Sequence, residues 1–555
     1  MTTATNPAQP TFTETQWQRF RAFGAEQRAA AGTWLFRAGQ PDCDMLLVET
    51  GEIEIVRAAT ADSPEAVVAS YQPRQFSGEM NLLTGQATYL DARAAADATV
   101  YRISPAEFRR LMNNEPDLSD VILRALITRR QNLRANQAAR GIEVIAGAPS
   151  AGTLALRTYL ERHQLPHTWT DADGDLGRLL TRAAHLHDDD LPAVLTATTV
   201  IRNATPARVA DVLGLSQRPR LGTTMDVTVI GGGPAGLAAA VYGASEGLTT
   251  VLLDAIATGG QAAASSRIEN YLGFTSGLSG ADLMTRGVIQ AQKFGARIAT
   301  PARVTTLDTG DDCLRVHLDD DTTIDTRTVI IASGARYKTL PLPRWCDFEG
   351  AGIYYAATEL EARMCGPARV AVIGGANSAG QAALFLAGRG NHVDLVVRAD
   401  SLATGMSAYL AQRITAHPGI TVHTGTHVSA VDGDDRLRTI TITTTTDADG
   451  ARRDVTRDCC GLFCFIGAAP ATDWLTGLAL DDHGFILTDA HLPDDALADP
   501  WPRLGRRPLP FETSRPGVLA AGDVRAGSMK RVAAAVGEGA SAIASVHTIL
   551  TAEPR

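Results

Sequence analysis

Cysteine is sparse in this chain and poorly placed for sulfur chemistry. Its seven thiols, Cys43, Cys313, Cys346, Cys365, Cys459, Cys460 and Cys464, form an odd, scattered set among 555 residues. Such a set is not a disulfide framework. No two of them stand as CxxC. A basic excess is also missing, since 51 Lys and Arg face 61 Asp and Glu for a formal charge of -10. A nucleic-acid-binding surface needs the opposite balance. No run reaches the roughly 18 apolar residues of a bilayer span. Met1–Pro10 lacks the charged-then-apolar pattern of a secretory signal. These absences predict a cytoplasmic protein with no nucleic-acid and no membrane partner. What remains is ordinary globular composition, 45% hydrophobic and 20% charged, in a chain long enough for several domains.

Three blocks separate by pattern. From about Thr11 to Asn136, strand-like runs such as Met45 to Val48 and Glu52 to Val56 are broken by Gly39, Gly51 and Gly78. A helical stretch follows, with Ser104 as N-cap, Pro105 in the first turn and apolar residues from Phe108 to Ile127. This predicts a β-roll followed by helices. From about Gly141 to Ser216 the order is strand (Ile142 to Ile145), helix (Leu154 to His163), strand (His167 to Thr170), acidic loop, strand after Leu191-Pro192, and helix (Thr205 to Leu213). That order suits a small thioredoxin-like α/β domain. The acidic loop carries His185, His187 and Asp188 to Asp190, a set that could ligate a metal. A polar run before a buried strand is read instead as solvated loop, with no metal. From Met225 onward there are two βαβ units. After them Arg438 to Thr445 alternates, turns at Asp447 to Gly450 and returns through Arg453 to Phe465, which predicts a β-hairpin.

The first βαβ unit has the parts of a dinucleotide site. Strand Asp226 to Ile230 runs into GGGPAG at 231–236, then a helix, then strand Thr250 to Leu253 ending at Asp254. Gly231 permits the tight turn, Gly233 lets the backbone approach a diphosphate, and Gly236 allows close helix–strand packing. The helix N-terminus offers unpaired N–H groups to phosphate. Asp254 stands where a carboxylate accepts ribose hydroxyls.

The second unit repeats the pattern. Strand Arg369 to Ile373 leads into GGANSAG at 374–380, and strand His392 to Val397 ends at Arg398. Ala376 replaces the second glycine and puts a methyl where the diphosphate approaches. Arg398 suits the 2′-phosphate of NADPH, whereas Asp400 favours NADH.

Further motifs surround these turns: Gly259-Gly260-Gln261, Glu269-Asn270-Tyr271, Ile331 to Ala335, Phe465-Ile466-Gly467, Ala521 to Val524 and Arg531-Val532-Ala533. With the two turns, they resemble the thioredoxin-reductase-like flavoproteins along nearly the whole third block. The resemblance implies FAD at the first site, held by Gly231, Gly233, Pro234, Ala235, Gly236, Asp254, Gly260, Gln261, Asn270, Gly334, Gly522 and Asp523, with Arg531, Val532 and Ala533 closing over the ring. It implies NADPH or NADH at the second, held by Gly374, Asn377, Ser378, Ala379 and Arg398. It also implies a homodimer. The departures are equally informative. Where the family carries its redox CxxC, Tyr355 is followed by Ala356-Ala357-Thr358-Glu359. A dithiol relay needs two sulfurs within bonding reach. Cys365 is read as standing alone, and Glu359 is the candidate proton donor at the ring, although a merely solvated side chain there fits as well.

The front blocks look like degraded binding modules. Gln75 to Met80 resembles the phosphate-binding cassette of cyclic-nucleotide-binding domains, with Gly78 and Glu79 as the residues that would hold a cyclic nucleotide. The arginine that meets the cyclic phosphate in such cassettes is here Thr88. Its loss removes the strongest phosphate contact, so cyclic-nucleotide binding is expected to be weak or lost. Arg93 is the available substitute. The second block resembles a glutaredoxin-like domain, with Ala148-Pro149-Ser150-Ala151 where such folds carry CPxC and Pro192 at their cis-proline. It has no cysteine, and a docking or spacer role is expected.

The expected architecture is multidomain: an N-terminal β-roll with helices (1–138), a small thioredoxin-like α/β domain (139–218), and two Rossmann-like α/β domains, for FAD (219–340 with 467–555) and NAD(P)H (341–466). The expected activity is hydride transfer from NAD(P)H to FAD and on to a small-molecule or protein acceptor. Two alternatives stay open: thioredoxin-disulfide reductase proper, which Ala356 and Glu359 disfavour, and a sensor or scaffold that holds FAD without turnover.

Overall fold

Capping residues set where the first helices begin. Thr13 and Gln16 form a reciprocal capping box at the start of helix Glu14–Arg21. The Ser104 hydroxyl accepts from Glu107 N ahead of Pro105–Asn114, and Pro116 opens the next helix, Pro116–Ala135. The computed structural model describes residues 6–552 except 41–42, 60–62, 79–80, 136–140, 148–149, 221, 266–267, 269, 311–313, 350, 356, 358–360, 363–364, 446–451 and 498–500. The three helices cover two antiparallel sheets. One has the order Ala25–Ala29, Ala98–Ile103, Met45–Thr50, and the other Trp34–Phe36, Asp91–Ala94, Ile53–Arg57, Ala66–Tyr71. Trp17, Phe20, Phe76 and Phe108 are buried between sheet and helices. This is the expected β-roll.

The cysteine-free block is a four-stranded sheet in the order Val200–Ile201, Ala193–Thr196, Ile142–Ala146, His167–Asp171. Strands Ile142–Ala146 and His167–Asp171 are parallel, and the Leu191–Pro192 peptide is cis. Ser150 caps helix Ala151–Arg162, and Thr205 caps helix Pro206–Leu213, which ends at Gly214 with φ +64°. One expectation fails here. The stretch read as an acidic loop contains helix Asp175–Ala183, which buries Gly177 and Leu180. Its acidic first turn is what a helix N-terminus favours. His187, Asp188 and Asp190 do form a turn, in which Asp190 accepts from His187 N and pairs with Arg202. Among the described residues no group of three metal-ligating side chains forms.

The third block contains two parallel sheets. In the first, Arg297–Ala299, Thr250–Leu253, Met225–Ile230 and Thr323–Ile331 are parallel neighbours, Val518–Ala520 also pairs with Thr323–Ile331, and an antiparallel edge follows through Leu314–Leu318 and Val304–Thr309. The second is all parallel, in the order Ile353–Tyr354, Leu462–Cys464, Arg369–Ile373, His392–Val396, Ile420–His423. Strands Leu437–Thr445 and Arg452–Asp458 pair as expected, with Thr426–Gly433 as a third strand. The return does not run on to Phe465, because 462–464 leaves the hairpin for the parallel sheet. A second correction concerns apolar length. Helix Val532–Ala552 is long and apolar enough to cross a bilayer by composition. It packs on helix Pro234–Ser245, where a Cβ on Gly539 would come 2.0 Å from Ala235 O. Its apolar face, with Ala542, Ile543, Val546 and Ile549, is buried in the core of the first sheet.

The blocks dock through specific contacts. Tyr159 Oη donates to Thr300 O at 3.2 Å, His163 Nε2 lies 3.0 Å from Thr300 Oγ1, and Gln164 donates to Thr285 Oγ1. Gln217 donates to Thr84 O in the β-roll domain and to Ile298 O in the first sheet. Burial, with Arg130 and Arg162 nearby, pushes the His163 pKa down from 6.5 to about 4. The unfolded chain therefore takes up a proton that the docked chain refuses between those values. Stability should fall as pH drops from 6.5 towards 4, by about 3 kcal/mol at most. Thermal midpoints measured across that window should decline in the natural chain and flatten in His163→Gln.

Candidate functional site

A cleft of about 2710 Å³ runs between the two parallel sheets, with helix Ala151–Arg162 on its rim. Its floor is the first glycine turn. Gly231 has φ +113°, and a Cβ there would meet Ala332 O at 2.2 Å, so only glycine fits. A Cβ on Gly236 would meet Gly231 O at 1.8 Å, which is why the helix can start directly over the strand end. Gly233 begins helix Pro234–Ser245 without a side-chain cap. At Gly233 the only neighbour within reach of a Cβ is Gly260 Cα at 3.9 Å, and at Gly334 there is none within 4 Å. Uncapped N–H groups and open backbone together form a cradle that suits a diphosphate.

Asp254 closes one end of the cradle. It accepts from Gly232 N at 2.8 Å, Ile256 N at 2.9 Å and Ala257 N at 3.1 Å. A carboxylate has about four acceptor positions, so capacity remains for a hydroxyl. Burial raises its pKa, against the three backbone bonds. At the other end Gly522 turns with φ +77°, its N–H held by Glu538 Oε2 at 2.7 Å. Glu538 also takes Arg525 at 2.8 Å and Ser528 Oγ at 2.8 Å. Asp523 lines the cleft, its pKa raised by burial, with Lys530 donating to its carbonyl. Gln261 reaches from the 259–261 turn to Ala335 O.

The expected first-site residues distribute unevenly. Gly231, Gly233, Pro234, Ala235, Asp254, Gly260, Gln261, Gly334, Gly522, Asp523, Arg531 and Val532 all line the one cleft. Gly236 lies behind the turn. Asn270 and Ala533 are exposed and outside the cleft lining. At the second turn Gly374 has φ +140° and packs on Phe465 O. Ala376 starts helix Asn377–Ala387 without a side-chain cap. Ser378 reaches the cleft. Gly374, Asn377, Ala379 and Arg398 do not line it: Asn377 accepts from Ser407 N at 2.8 Å, Ala379 is buried, and Arg398 is exposed. Ala356 and Glu359 lie outside the described residues, as does Glu79.

Two groups went unread in the sequence. Tyr337 and Tyr355 stack at 5.3 Å and 6° across the junction of the two sheets, and burial pushes Tyr337 up to about 12. Both line the cleft. Cys365 does not stand alone. Its Sγ is 3.6 Å from Cys460 O, and Cys460 Sγ is 3.7 Å from Cys365 O. This pair sits before strands Arg369–Ile373 and Leu462–Cys464, at the sheet end away from Gly374.

In the β-roll domain Gly78 has φ +134°, and its carbonyl accepts from Arg129 at 3.0 Å. Thr88 Oγ1 donates to Arg37 O. Arg93, the one arginine considered as a stand-in for the missing phosphate contact, is held by Glu54 at 3.0 Å and Glu65 at 2.8 Å.

A family profile described as pyridine nucleotide-disulphide oxidoreductase matches residues 225–539, and one described as cyclic nucleotide-binding domain matches 26–115. Thioredoxin reductase from Treponema pallidum (strain Nichols) is 32% identical over 321 residues, covering 58% of this chain and 95% of the relative. Thioredoxin reductase from Streptomyces clavuligerus is 31% identical, covering 59% and 94%. Among solved structures, T. acidophilum thioredoxin reductase superposes with a TM-score of 0.51 at 27% identity, over 59% of this chain and 99% of that one. Lactococcus lactis thioredoxin reductase in its FR conformation gives the same values.

The Glu538 network predicts a clear structural cost. Glu538→Ala leaves Arg525 and Gly522 N without their acceptor in a largely buried setting. It should destabilise the protein by about 3 kcal/mol, read as a lower thermal midpoint of the flavin-free protein.

Proposed function

Since the chain belongs to the pyridine nucleotide-disulphide oxidoreductase family, we propose that its first glycine turn holds FAD, its second a nicotinamide nucleotide, and that the two meet in the cleft between the sheets. The chain is a thioredoxin-reductase-like oxidoreductase dependent on FAD and NADPH, fused to an N-terminal cyclic-nucleotide-binding-like domain. The observation that carries the residue assignment is the single cleft that runs from Asp254 past Gly231 to Ala235 and on to Asp523 and Ser378.

FAD, when bound, accepts hydride and releases electrons one or two at a time. The protein's part is placement. Gly231, Gly233, Pro234, Ala235 and Gly236 would present the helix end to the diphosphate, Asp254 would take the adenosine ribose, and Gly334, Gly522 and Asp523 would hold the ribityl chain. Gly260 and Gln261 would shape the flavin side, and Arg531 and Val532 would stand at the ring, with Ala533 outside the cleft. Gly374, Asn377, Ser378 and Ala379 form the nicotinamide turn, and the exposed Arg398 is free to meet a 2′-phosphate, which favours NADPH. In this reading the nicotinamide unit spans 341–466, the FAD unit 219–340 with 467–555, and the front units 1–138 and 139–218. A homodimer is the assembly.

Electrons leave to an acceptor outside the chain. The segment after Tyr355 reads Ala356-Ala357-Thr358-Glu359 and holds no thiol. The Cys365–Cys460 pair sits at the far end of its sheet from Gly374. Anaerobic mixing with NADPH should bleach the visible flavin absorbance, more readily than NADH does. An unchanged spectrum with both nucleotides rejects the reading. With an external acceptor such as a quinone or a disulfide, turnover should survive Cys365→Ser.

The β-roll domain would take a cyclic nucleotide only weakly, through Gly78 and Glu79. Thr88 brings no charge and Arg93 is already paired. Calorimetry with cAMP should show no micromolar binding, and a micromolar isotherm contradicts this.

A further inference from the structure

The cysteine-free domain turns the end of helix Ala151–Arg162 towards the first glycine turn. Tyr159, His163 and Gln164 pin that end to Thr300 and Thr285. Arg162, between them in sequence, is half-buried and lines the same cleft as Gly232, Gly233 and Asp254. Arg218, Arg303 and Arg336 line the same cleft, and each faces an aspartate. Among the described residues no carboxylate lies within ion-pair distance of Arg162. It is a cation delivered to the cleft and held there without a salt bridge, with the Asp254 carboxylate within electrostatic reach.

Its position along the cleft can be bracketed. The Arg162 charge favours the ionised forms of both Asp254 and Tyr337, and Asp523 acts on that same tyrosine in the opposite sense. Asp254 N–H donates to Ala299 O and Ala302 N–H donates to Asp254 O, so Thr300, on which Tyr159 and His163 dock, adjoins the Asp254 end of the cradle and brings Arg162 to the stretch that starts there. A dinucleotide with its ribose at Asp254 and its ribityl chain at Asp523 lays its diphosphate across that stretch. The uncapped start of helix Pro234–Ser245 offers partial positive charge from below. Arg162 offers a full charge from the other domain.

We propose that Arg162 is an FAD-binding residue supplied by the cysteine-free domain, its guanidinium N–H groups donating to the diphosphate. The inference rests on the FAD reading of the first turn. It makes the thiol-free domain a clamp on the cofactor.

The test uses full-length protein stripped of flavin and titrated with FAD, ADP and adenosine. Arg162→Gln should bind FAD about 10- to 100-fold more weakly, the loss expected for one charge-assisted contact. ADP should weaken by a similar factor and adenosine should not change. Arg178→Gln, at an exposed pair with Asp175 in the same domain, should bind like the natural chain. If Arg162→Gln fails to fold, Arg162→Met keeps the apolar stem and reads the same ratios. Equal FAD affinity in variant and natural protein overturns the proposal and leaves the FAD site standing. An equal loss for adenosine and ADP assigns the effect to displacement of the domain, and also overturns it. If the natural protein itself takes up no FAD, the reading of the first turn fails instead.

Discussion

The approach of two backbones at Gly236 and Gly539 is the constraint on which the rest of the site depends. Helix Pro234–Ser245 lies so close to its own strand end that Gly231 O occupies the space of a Cβ on Gly236. On its other side, Ala235 O occupies the space of a Cβ on Gly539. Pressed from both sides, the helix has no freedom to shift, and its uncapped start is held over the cleft. Asp254 and Glu538 then fix the two flanking turns by taking their backbone N–H groups. A carboxylate in each case replaces the water that an exposed turn would use.

Much of this was legible because the governing signals are local. Gly231 and Gly374 are demanded by the left-handed φ of a turn, a property of a few consecutive residues. Ser104, Thr205 and Pro105 mark helix starts for equally local reasons. Three features were hidden, the first by its brevity and the other two by their range. The helix Asp175–Ala183 is short, and an acidic first turn disguised it as loop. The Cys365–Cys460 contact joins residues far apart in sequence that only the parallel sheet brings together. Arg162 has no motif of its own, and its place in the cleft comes from the docking of Tyr159 and His163 on Thr300. The long apolar helix at the C-terminus was missed for another reason: alanine and glycine dominate it, so it does not read as a hydrophobic run.

The front domains are tied to the redox domains at the elements that shape the cleft. Gln217 contacts both Thr84, in the cassette region of the β-roll, and Ile298, in the first parallel sheet. Leu82 and Ile289 share one apolar cluster, and Ile289 belongs to helix Gly280–Lys293, from which both Ile289 and Met284 line the cleft. The cysteine-free block and the β-roll domain are thus both joined to the first parallel sheet at residues next to the cleft.

The stacked tyrosines carry a mechanical consequence. Tyr337 ends the short strand Ala335–Tyr337, which pairs with Ala468–Pro470 between the two sheets, and Tyr355 follows the opening strand of the second. Any swivel of one sheet against the other must slide these rings apart and bring water onto both faces. A ring pair of this kind is worth about 1 kcal/mol beyond its buried area. It acts as a weak detent, a notch that favours one angle between the halves and that ordinary thermal motion can still climb.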